Sequence, residues 1–391
     1  MDKEYILKHK NNPVILFTLN DDFELSEILN IFDEKRLPFG LKYSGKKEAQ
    51  FKQLSDWIEN RSLPRSRSDL VNIEYDFNVK NSVQLSFGSY ALNLADQYWV
   101  HKSNIDIKWE DVNFFDNSFK EVVNFDIMGV YEENRDILVA PDLTVDGSLR
   151  KKWIINKSNE RLLLKGSRYD EMQEPYNEVI ASKIMKILGI EHVEYGFIKN
   201  ESNNMPLSIC KCMVGKNTEI ITAQVVLDTE LKENRNEYDR FIQICKKKGI
   251  NNVKEKIDNM IIIDYLIGNT DRHTANFGII RNADTLEWIR VAKIFDNGNS
   301  LHHNTNVIDN IDKNIDSLCR WFPRGNYEKL QYIDYPKWYS KDNIHSIIDI
   351  VIDNLNLNTH INEDKKNKLV SIVDIRVKEL IKILEKKSEI K

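Results

Sequence analysis

The feature that most constrains the fold of this chain is an apolar helical run that leads straight into a polar loop and then into a hairpin. The apolar residues before the loop recur at helical spacing: Ile257, Met260, Ile261, Tyr265 and Leu266. The loop at 268–278 reads GNTDRHTANFG. Apolar stretches at 277–280 and 288–291 flank the turn-forming residues 282–284, which predicts a β-hairpin. This hairpin would place Asp296 at the end of a strand.

Three polar side chains in and after this loop fit the needs of phosphoryl transfer. That chemistry needs one carboxylate to orient the attacking hydroxyl, and an amide oxygen and a second carboxylate to hold magnesium against nucleotide phosphates. We predict Asp271 for the first role, and Asn276 and Asp296 as the metal ligands. The step from Asp271 to Asn276 is the D-x-x-x-x-N spacing of a protein kinase catalytic loop. Asp and Asn also reach this spacing by chance in surface turns, so the surrounding elements carry much of the argument.

A lysine and a glutamate upstream are candidates for a phosphate-binding ion pair. A nucleotide kinase needs a cation for the phosphates and usually an acid that holds this cation in place. The stretch RLLLK at 161–165 alternates like a strand and ends at Lys165. Glu178 follows in a predicted helix that begins at Pro175 and stops at Gly189, and it could face Lys165 across a cleft. The alternative is that both are solvated surface charges, the more common outcome for a single pair.

These motifs, in this order, resemble the HipA-like serine/threonine kinases, including their CtkA-type branch. The resemblance rests on NTDRHTANFG at 269–278, FDNGNSL at 295–301, LKG at 164–166 and QEPYNE at 173–178. It covers roughly residues 130–325. The chain departs from the eukaryotic pattern because no His-Arg-Asp precedes the base and Phe295 stands before Asp296. These departures bear on regulation through a flipping phenylalanine and leave the metal chemistry untouched.

The resemblance implies an α+β, two-lobed protein-kinase-like (HipA-like) fold with a small β-rich N-lobe, a mostly helical C-lobe and an appended N-terminal α/β domain. We expect the appended domain at 1–125, the N-lobe at 126–215 and the C-lobe at 216–391. The implied activity is that of an ATP- and Mg²⁺-dependent serine/threonine protein kinase with a protein substrate. The resemblance also allows a role as a toxin or stress regulator with an antitoxin-type protein partner. Two alternatives stay open: a small-molecule or lipid phosphotransferase, and a non-catalytic nucleotide-binding interaction module.

A short glycine- and serine-containing stretch is a candidate phosphate loop. Gly147 and Ser148, followed by three cations at 150–152, could hold ATP phosphates through backbone amides and charge. The resemblance supports this role. Without it, the stretch reads equally well as a β-turn with solvated basic residues.

Three further residues are candidate ATP-binding positions by their place in the kinase order. Cys212 and Met213 lie near the end of a predicted strand at 205–214, where the hinge backbone of a kinase hydrogen-bonds adenine. His273 could reach the nucleotide phosphate or brace the catalytic loop, and bracing is the interpretation that we favour. Autophosphorylation is a further hypothesis, with four candidate hydroxyls: Ser148, Ser300, Thr305 and Ser317.

Composition limits the class of protein and its partners. With 391 residues and 41% hydrophobic content, the chain can bury a large core. A net charge of −5 argues against direct binding to nucleic acid, which needs a concentrated basic face. We expect no membrane association, because there is neither an apolar signal region nor a run near 18 apolar residues. Four cysteines without a C-x-x-C pair indicate reduced thiols and a cytoplasmic protein.

The flanking regions give coarser predictions. Residues Leu25–Phe32 and Lys52–Ile58 read as helical stretches, and amphipathic helices are predicted around 344–355 and 369–384. An N-terminal aromatic cluster is interpreted as core or interdomain packing because it lacks the interleaved cations of a base-stacking platform. Its members are Tyr90, Tyr98, Trp99, Trp109, Phe114 and Phe115.

Overall fold

The computed structural model describes residues 2–38, 41, 47–63, 70–76, 79–119, 141, 151–200, 204–230, 236–305 and 325–389. Gly147 and Ser148 of the predicted phosphate loop lie outside these ranges, as does Ser317. The chain forms two compact units. The first unit consists of Met1–Leu163, Val214–Ile221 and Ile280–Glu287, and the second of Leu164–Met213, Thr222–Ile279 and Trp288–Lys391.

A four-stranded antiparallel sheet organises the core of the first unit. Its strands are β1 (Lys3–His9), β2 (Asn12–Leu19), β3 (Leu25–Ile31) and β4 (Tyr98–Lys102), in the order β3-β2-β1-β4. Leu7, Phe17 and Val100 of these strands are almost completely buried. Helix α1 (Lys47–Asn60) contains the predicted helical stretch and adds Leu54 and Ile58, one turn apart, to the same hydrophobic cluster.

The segment at Leu25–Phe32, predicted as helical, is instead strand β3, so that prediction was wrong. The apolar residues of β3 pair with every second residue of β2: Leu25 with Leu19, Ile28 with Phe17, and Ile31 with Ile15. The register shifts twice, which leaves Ser26 and Leu29 as extra residues on β3. These irregularities stretch the apolar spacing from two residues to three, and a spacing of three imitates helical periodicity.

The other described elements of the first unit are short. They are α2 (Leu70–Asp76), α3 (Ser82–Gly88), α4 (Trp109–Val112), a 3₁₀ turn at Glu34–Arg36 and β5 (Lys151–Ile155). Three further strands have residues in both units: β6 (Arg161–Lys165) beside β5, and β9 (Thr218–Thr222) beside β10 (Gly278–Asn282). The aromatic packing predicted for this region is confirmed for Tyr98, Trp99, Trp109 and Phe114, none of which is more than 3% exposed. Their burial is what the core interpretation requires.

The second unit is mostly helical. Its helices are α5 (Gln173–Ile187), α6 (Ala223–Asp228), α7 (Glu237–Lys247), α8 (Val253–Ile267), α9 (Asn326–Lys329), α10 (Lys341–Leu357) and α11 (Glu363–Glu389). Strand β6 borders β8 (Pro206–Lys211), which pairs antiparallel with β7 (Tyr195–Lys199), and β11 (Trp288–Val291) lies beside β10. The two predicted amphipathic helices correspond to α10 and α11, which pack against each other. Within the described ranges, no helix combines the length and the apolar character needed to cross a bilayer.

Helix α8 and the hairpin after it occupy the predicted positions. The helix is buried along most of its length and ends at Gly268, whose φ of 61° is left-handed. A side chain at this position would also displace the guanidinium of Arg376 on α11, so both the backbone angle and the available space favour glycine. Strands β10 and β11 follow, joined by residues 283–287. The polar loop at 269–277 is therefore fixed at one end by a buried helix and at the other by a strand.

Candidate active site

A buried lysine in the second unit is held by two carboxylates. Lys165 lies at the end of β6 and is only 4% exposed. Its Nζ donates to Glu178 Oε1 at 2.7 Å and to Asp296 Oδ1 at 2.7 Å. The predicted pairing of Lys165 with Glu178 is therefore present, and Asp296 joins it. Three side chains that the sequence assigns to phosphate and metal binding meet at one ammonium group.

Helix α5 brings Glu178 to the lysine. The helix begins two residues before Pro175, its predicted start, and Gly189 follows its C-terminus with a left-handed φ of 65°. Glu178 is 1% exposed, and it uses both carboxylate oxygens. Oε1 accepts from Lys165, and Oε2 accepts from the backbone N–H of Asn297 at 2.9 Å. The glutamate thus fixes the lysine and the chain segment after Asp296 at the same time.

Burial and charge oppose each other at Lys165. Burial alone would lower the pKa of the lysine, but Asp296 and Glu178 outweigh it and hold this pKa well above its usual range. The ring of Tyr195 lies 5.2 Å from the ammonium, and its hydroxyl accepts from Lys165 Nζ at 3.3 Å. Burial also raises the pKa of Tyr195 well above its usual value. The site therefore contains a charged lysine beside a neutral phenol.

Arg272 anchors the polar loop. Its side chain is fully buried and pairs with Asp264 of α8 at 3.0 Å. The same guanidinium donates to the carbonyl oxygens of Asn276 at 2.9 Å and Phe295 at 2.6 Å, and to Asn297 Oδ1 at 2.7 Å. One planar group with five donors thus connects the end of α8, the loop and the segment after β11.

Asp271 and Asn276 belong to one hydrogen-bonded turn. Asn276 donates its Nδ2 to the carbonyl oxygen of Asp271 at 3.0 Å. The backbone N–H of Asp271 donates to Asn269 Oδ1 at 2.9 Å. The Asp271 carboxylate accepts from Asn299 Nδ2 at 2.6 Å. The five-residue spacing therefore folds as a tight loop in which both predicted side chains have fixed positions.

Asn276 and Asp296 have the donor chemistry that magnesium prefers. Mg²⁺ binds hard oxygen ligands, commonly one or two from the protein, and takes the others from phosphates and water. Asn276 uses the nitrogen end of its amide on Asp271, so the oxygen end is the one oriented for a cation. Asp296 adopts a left-handed φ of 59°, and its side chain is 26% exposed. The described residues hold no cluster of three or more His, Cys, Asp or Glu suited to a metal, and a site that relies on nucleotide phosphates needs none.

His273 braces the loop. Its Nδ1 lies 3.2 Å from the backbone N–H of Ala275, and its carbonyl accepts from the backbone N–H of Asn276 at 2.8 Å. Both contacts lie inside the loop. They agree with the bracing interpretation, and a contact of His273 with ATP stays a prediction.

The predicted hinge residues lie directly after a strand. Cys212 and Met213 follow β8 directly, and both are half-buried. Burial raises the pKa of the neighbouring Cys210 to about 12, so this thiol stays protonated. The assignment of Cys212 and Met213 to adenine binding stays a prediction. The same holds for Gly147 and Ser148, which lie outside the described residues.

Sequence reasoning missed four residues that shape the site. Asn297 and Asn299 flank a glycine in the same short motif as the predicted metal carboxylate, so their position was a usable signal. Asp264 is a carboxylate within an otherwise apolar helical run, which is a second usable signal because such a group must find a partner. For Tyr195 no signal exists in the sequence, since its contact with Lys165 depends on how β7 and β6 come together.

Comparison with known proteins finds similarity both to a curated protein and to solved structures. No family model matches the chain. The serine/threonine-protein kinase CtkA of Helicobacter pylori strain J99 is 24% identical over 253 residues, which cover 52% of this chain and 74% of the relative. HipA of Shewanella oneidensis MR-1, solved in a toxin–antitoxin complex with HipB and operator DNA, matches with a TM-score of 0.51 at 13% identity. That match covers 98% of this chain and 97% of the HipA chain.

The crystal structure of the Helicobacter pylori proinflammatory kinase CtkA is a further match, with a TM-score of 0.48 at 18% identity. It covers 61% of this chain and 94% of that chain, a likeness too low to define the fold by itself. The α+β, kinase-like fold predicted from the motifs is confirmed by the HipA match. The chain is therefore similar in sequence to CtkA over about half of its length and similar in fold to HipA.

Proposed function

We propose that this protein is an ATP- and Mg²⁺-dependent serine/threonine protein kinase that transfers the γ-phosphate to a protein hydroxyl. The observation that carries the proposal is the convergence of Glu178 and Asp296 on the Lys165 ammonium, each at 2.7 Å. Arg272 ties the segment before Asp296 to the loop of Asp271 and Asn276. A lysine–glutamate pair, a carboxylate and a D-x-x-x-x-N loop are the parts that phosphoryl transfer requires.

Each residue has a role that its surroundings support. Asp271 orients the acceptor hydroxyl and takes up its proton, because its carboxylate is fixed by Asn299. Lys165 stays charged and is suited to bind nucleotide phosphates, while Glu178 keeps it in place. Asn276 and Asp296 would hold Mg²⁺, which neutralises phosphate charge when bound. The protein supplies position and charge, and little covalent chemistry is asked of it.

A labelling assay tests this proposal. The purified protein is incubated with radiolabelled ATP, Mg²⁺ and a bacterial lysate as a source of acceptors, next to Asp271→Asn and Asp296→Ala. We expect each variant to lose at least roughly a hundredfold in labelling rate, as removal of a positioning or metal-binding group does. Asp349→Asn, which changes an exposed carboxylate on α10, serves as the matched control and keeps wild-type activity. Equal labelling by all four proteins would refute the assignment.

Acceptor class separates protein kinase activity from the alternative phosphotransferase. The relation to a serine/threonine-protein kinase favours a protein acceptor. We expect labelled phosphate in protein bands that yield phosphoserine or phosphothreonine on hydrolysis. Label that enters only a protein-free metabolite or lipid mixture would favour the alternative. ATP binding without any turnover would favour a non-catalytic module.

Autophosphorylation remains part of the proposal with a narrower set of acceptors. Ser300 is 1% exposed and donates its hydroxyl to the carbonyl of Asn297 at 2.8 Å, so it serves the structure and is a poor acceptor. Thr305 is half-buried, and Ser148 and Ser317 lie outside the described residues. Intact-mass spectrometry after incubation with Mg-ATP tests the hypothesis. An unchanged mass would count against it.

We also propose that the protein acts in the cytoplasm with an antitoxin-type protein partner. The cytoplasm supplies ATP and keeps thiols reduced, in agreement with the thiols of Cys210 and Cys245, which form no disulfide within the described residues. The partner is inferred from the HipA-like fold, whose structural match was solved together with HipB. Induced expression in a bacterial host should slow growth for wild type and not for Asp271→Asn. Equal growth of both strains would remove the support for a toxin role.

A further inference from the structure

Asn299 attaches the segment after Asp296 to the catalytic loop at two points. Its side-chain Nδ2 donates to Asp271 Oδ2 at 2.6 Å. Its carbonyl oxygen accepts from the backbone N–H of Thr270 at 3.1 Å and from the Thr270 hydroxyl at 3.3 Å. The amide is therefore held by the backbone next to the carboxylate that it contacts. A short hydrogen bond to an ionised oxygen is among the stronger kinds.

The orientation of this amide is dictated by Asp271. The Oδ1 atom of Asn299 is buried and has no hydrogen-bond partner in the described part of the chain. Burial of an unsatisfied polar atom is unfavourable, so such an atom calls for a reason. Rotating the amide would turn its oxygen toward a carboxylate that can only accept. The fold thus tolerates an unsatisfied acceptor in order to place an N–H donor on one oxygen of Asp271.

Asn297 repeats the pattern two residues earlier. Its Oδ1 accepts from Arg272 Nη2 at 2.7 Å, while its own Nδ2 is buried without a partner in the described part of the chain. Asn297 thus hydrogen-bonds to Arg272, the cation that anchors the loop. Asn299 hydrogen-bonds to Asp271, the carboxylate proposed to face the acceptor. The first contact is structural because Arg272 is fully buried. The second contact, made by Asn299, involves Asp271, which is proposed to contact the substrate.

We propose that Asn299 is a positioning residue for phosphoryl transfer. It holds Oδ2 of Asp271 so that Oδ1 is presented to the acceptor hydroxyl. The hydroxyl oxygen forms the new bond to the γ-phosphorus, the bond from that phosphorus to the β–γ bridging oxygen breaks, ADP leaves, and the hydroxyl proton passes to Oδ1 of Asp271. Without Asn299 the carboxylate loses the donor on Oδ2, and a misplacement of about 1 Å can cost on the order of a hundredfold in rate. This inference rests on the proposed kinase function.

The test compares Asn299→Ala with Asn299→Asp, which keeps the shape of the side chain but replaces the donor by a charge that repels Asp271. We expect kcat to fall by about 10- to 100-fold in the alanine variant and at least as far in the aspartate variant. The KM for ATP and the affinity for the nucleotide should stay within about twofold, because neither variant touches Lys165. Asn356→Ala and Asn356→Asp change an exposed asparagine of α10 in the same way and are the matched controls.

The outcomes separate this inference from the proposed function. If both Asn299 variants keep kcat within about twofold while Asp271→Asn loses a hundredfold, the kinase assignment stands and the role of Asn299 is wrong. Nucleotide affinity that falls together with kcat would assign Asn299 a structural role and overturn the inference as well. If Asp271→Asn is itself fully active, both proposals fail. Should the alanine variant not fold, the aspartate variant and Asn299→Ser provide the same comparison.

Discussion

Each unit contains a buried charge cluster, and the two clusters differ in how completely they are closed. The cluster of the first unit consists of His9, Tyr98, Glu219 and Arg281. The cluster of the second unit consists of Lys165, Glu178, Tyr195 and Asp296. In the first, the side chains of the charged residues are at most 3% exposed. In the second, the Asp296 side chain is 26% exposed.

The first-unit cluster satisfies its one carboxylate from several sides. Glu219 accepts from His9 Nε2 at 3.1 Å, from the backbone N–H of Gln97 at 3.3 Å and from the Nε of Arg281. Arg281 also donates to the Tyr98 hydroxyl at 3.1 Å. Burial would raise the pKa of Glu219, but His9 and Arg281 hold it below its usual range. These contacts connect the three chain segments that make up the first unit. The cluster therefore has the character of a structural network.

The second-unit cluster places two acids on one cation and leaves one acid partly open. The ammonium of Lys165 is shared between Glu178, which is buried, and Asp296, which reaches solvent and has a left-handed backbone. Backbone strain of this kind tends to occur at functional sites. The comparison teaches that burial of charge alone does not mark an active site. The accessible member and its position beside the loop of the proposed catalytic residues distinguish the second cluster from the first.

The largest expected effect is a loss of stability when a charge is removed from the first-unit cluster, which we call the closed cluster. Arg281→Met would leave Glu219 buried without its main cation, which costs about 3–5 kcal/mol in the free energy of unfolding. Urea titration followed by circular dichroism measures this loss. The double variant with Glu219→Gln should recover much of it, because the uncompensated charge is then gone. Lys247→Met, which removes an exposed pair with Glu230, is the control and should cost less than about 1 kcal/mol.

An Arg281→Met variant within about 1 kcal/mol of wild type would contradict the structural reading of the first cluster. Its kinase activity is the second observable. We expect the folded fraction to keep activity within about threefold, because none of the residues assigned to phosphoryl transfer belongs to this cluster.

The second largest expected effect is a loss of activity when a charge is removed from the second-unit cluster, which we call the open cluster. Asp296→Asn keeps the size of the side chain but removes its charge, and Lys165 retains Glu178 as a partner. We expect at least roughly a hundredfold loss of phosphoryl transfer, since an amide replaces the carboxylate proposed to bind the metal. The free energy of unfolding should change by less than about 1 kcal/mol because the side chain is partly solvated. Steady-state kinetics and urea titration of the same preparation check both numbers.

How much the sequence could predict differs between the two clusters in a physical way. The pairing of Lys165 with Glu178 joins neighbouring elements, a strand and the helix that follows it, so periodicity and helix boundaries were enough. The loop of Asp271 and Asn276 is local and has a recognisable spacing. By contrast, the contact of His9 with Glu219 joins residues 210 positions apart, and no local pattern encodes it.

The limits of the fold prediction also have specific physical causes. Strand β3 read as a helix because two irregularities in its pairing with β2 changed the apolar spacing from two to three. The division of the chain at 125 and 215 stays a prediction, since the first unit also includes 214–221 and 280–287. Tyr195 and Asn299 were missed because they belong to the site only through tertiary contacts of single atoms. Such contacts follow from packing, which a single sequence does not reveal.

We expect acid to lower the stability of the two units over different pH ranges, and the size of this effect lies between the others. Burial, assisted by Arg376 for His302 and Arg168 for His303, lowers the pKa of both histidines of the second unit to about 4. The unfolded chain binds these protons below about pH 6.5 and the folded chain does not, so stability is complete above pH 6.5 and falls toward pH 4. The Glu219 contribution is present above its unfolded pKa of about 4.3 and is lost only below that.

We therefore expect His303→Gln to recover on the order of 2 kcal/mol of the stability that wild type loses between pH 7.5 and pH 4.5. Urea titrations at these two pH values measure the difference. His345→Gln, at an exposed position of α10, should follow wild type at both. If His303→Gln and His345→Gln respond alike, burial of His303 does not govern the acid response.

The smallest expected effect concerns Tyr195, which tests how finely the open cluster is adjusted. Its hydroxyl accepts from Lys165 at 3.3 Å and from the backbone N–H of Asp296 at 3.4 Å, both long hydrogen bonds. Tyr195→Phe keeps the ring beside the ammonium and removes only these contacts, so we expect a loss of about 3- to 10-fold in kcat/KM. Tyr195→Leu should lose more, because it also removes the interaction of the ring with the cation. A phenylalanine variant as impaired as the leucine variant would show that the hydroxyl, and not the ring, determines the position of Lys165.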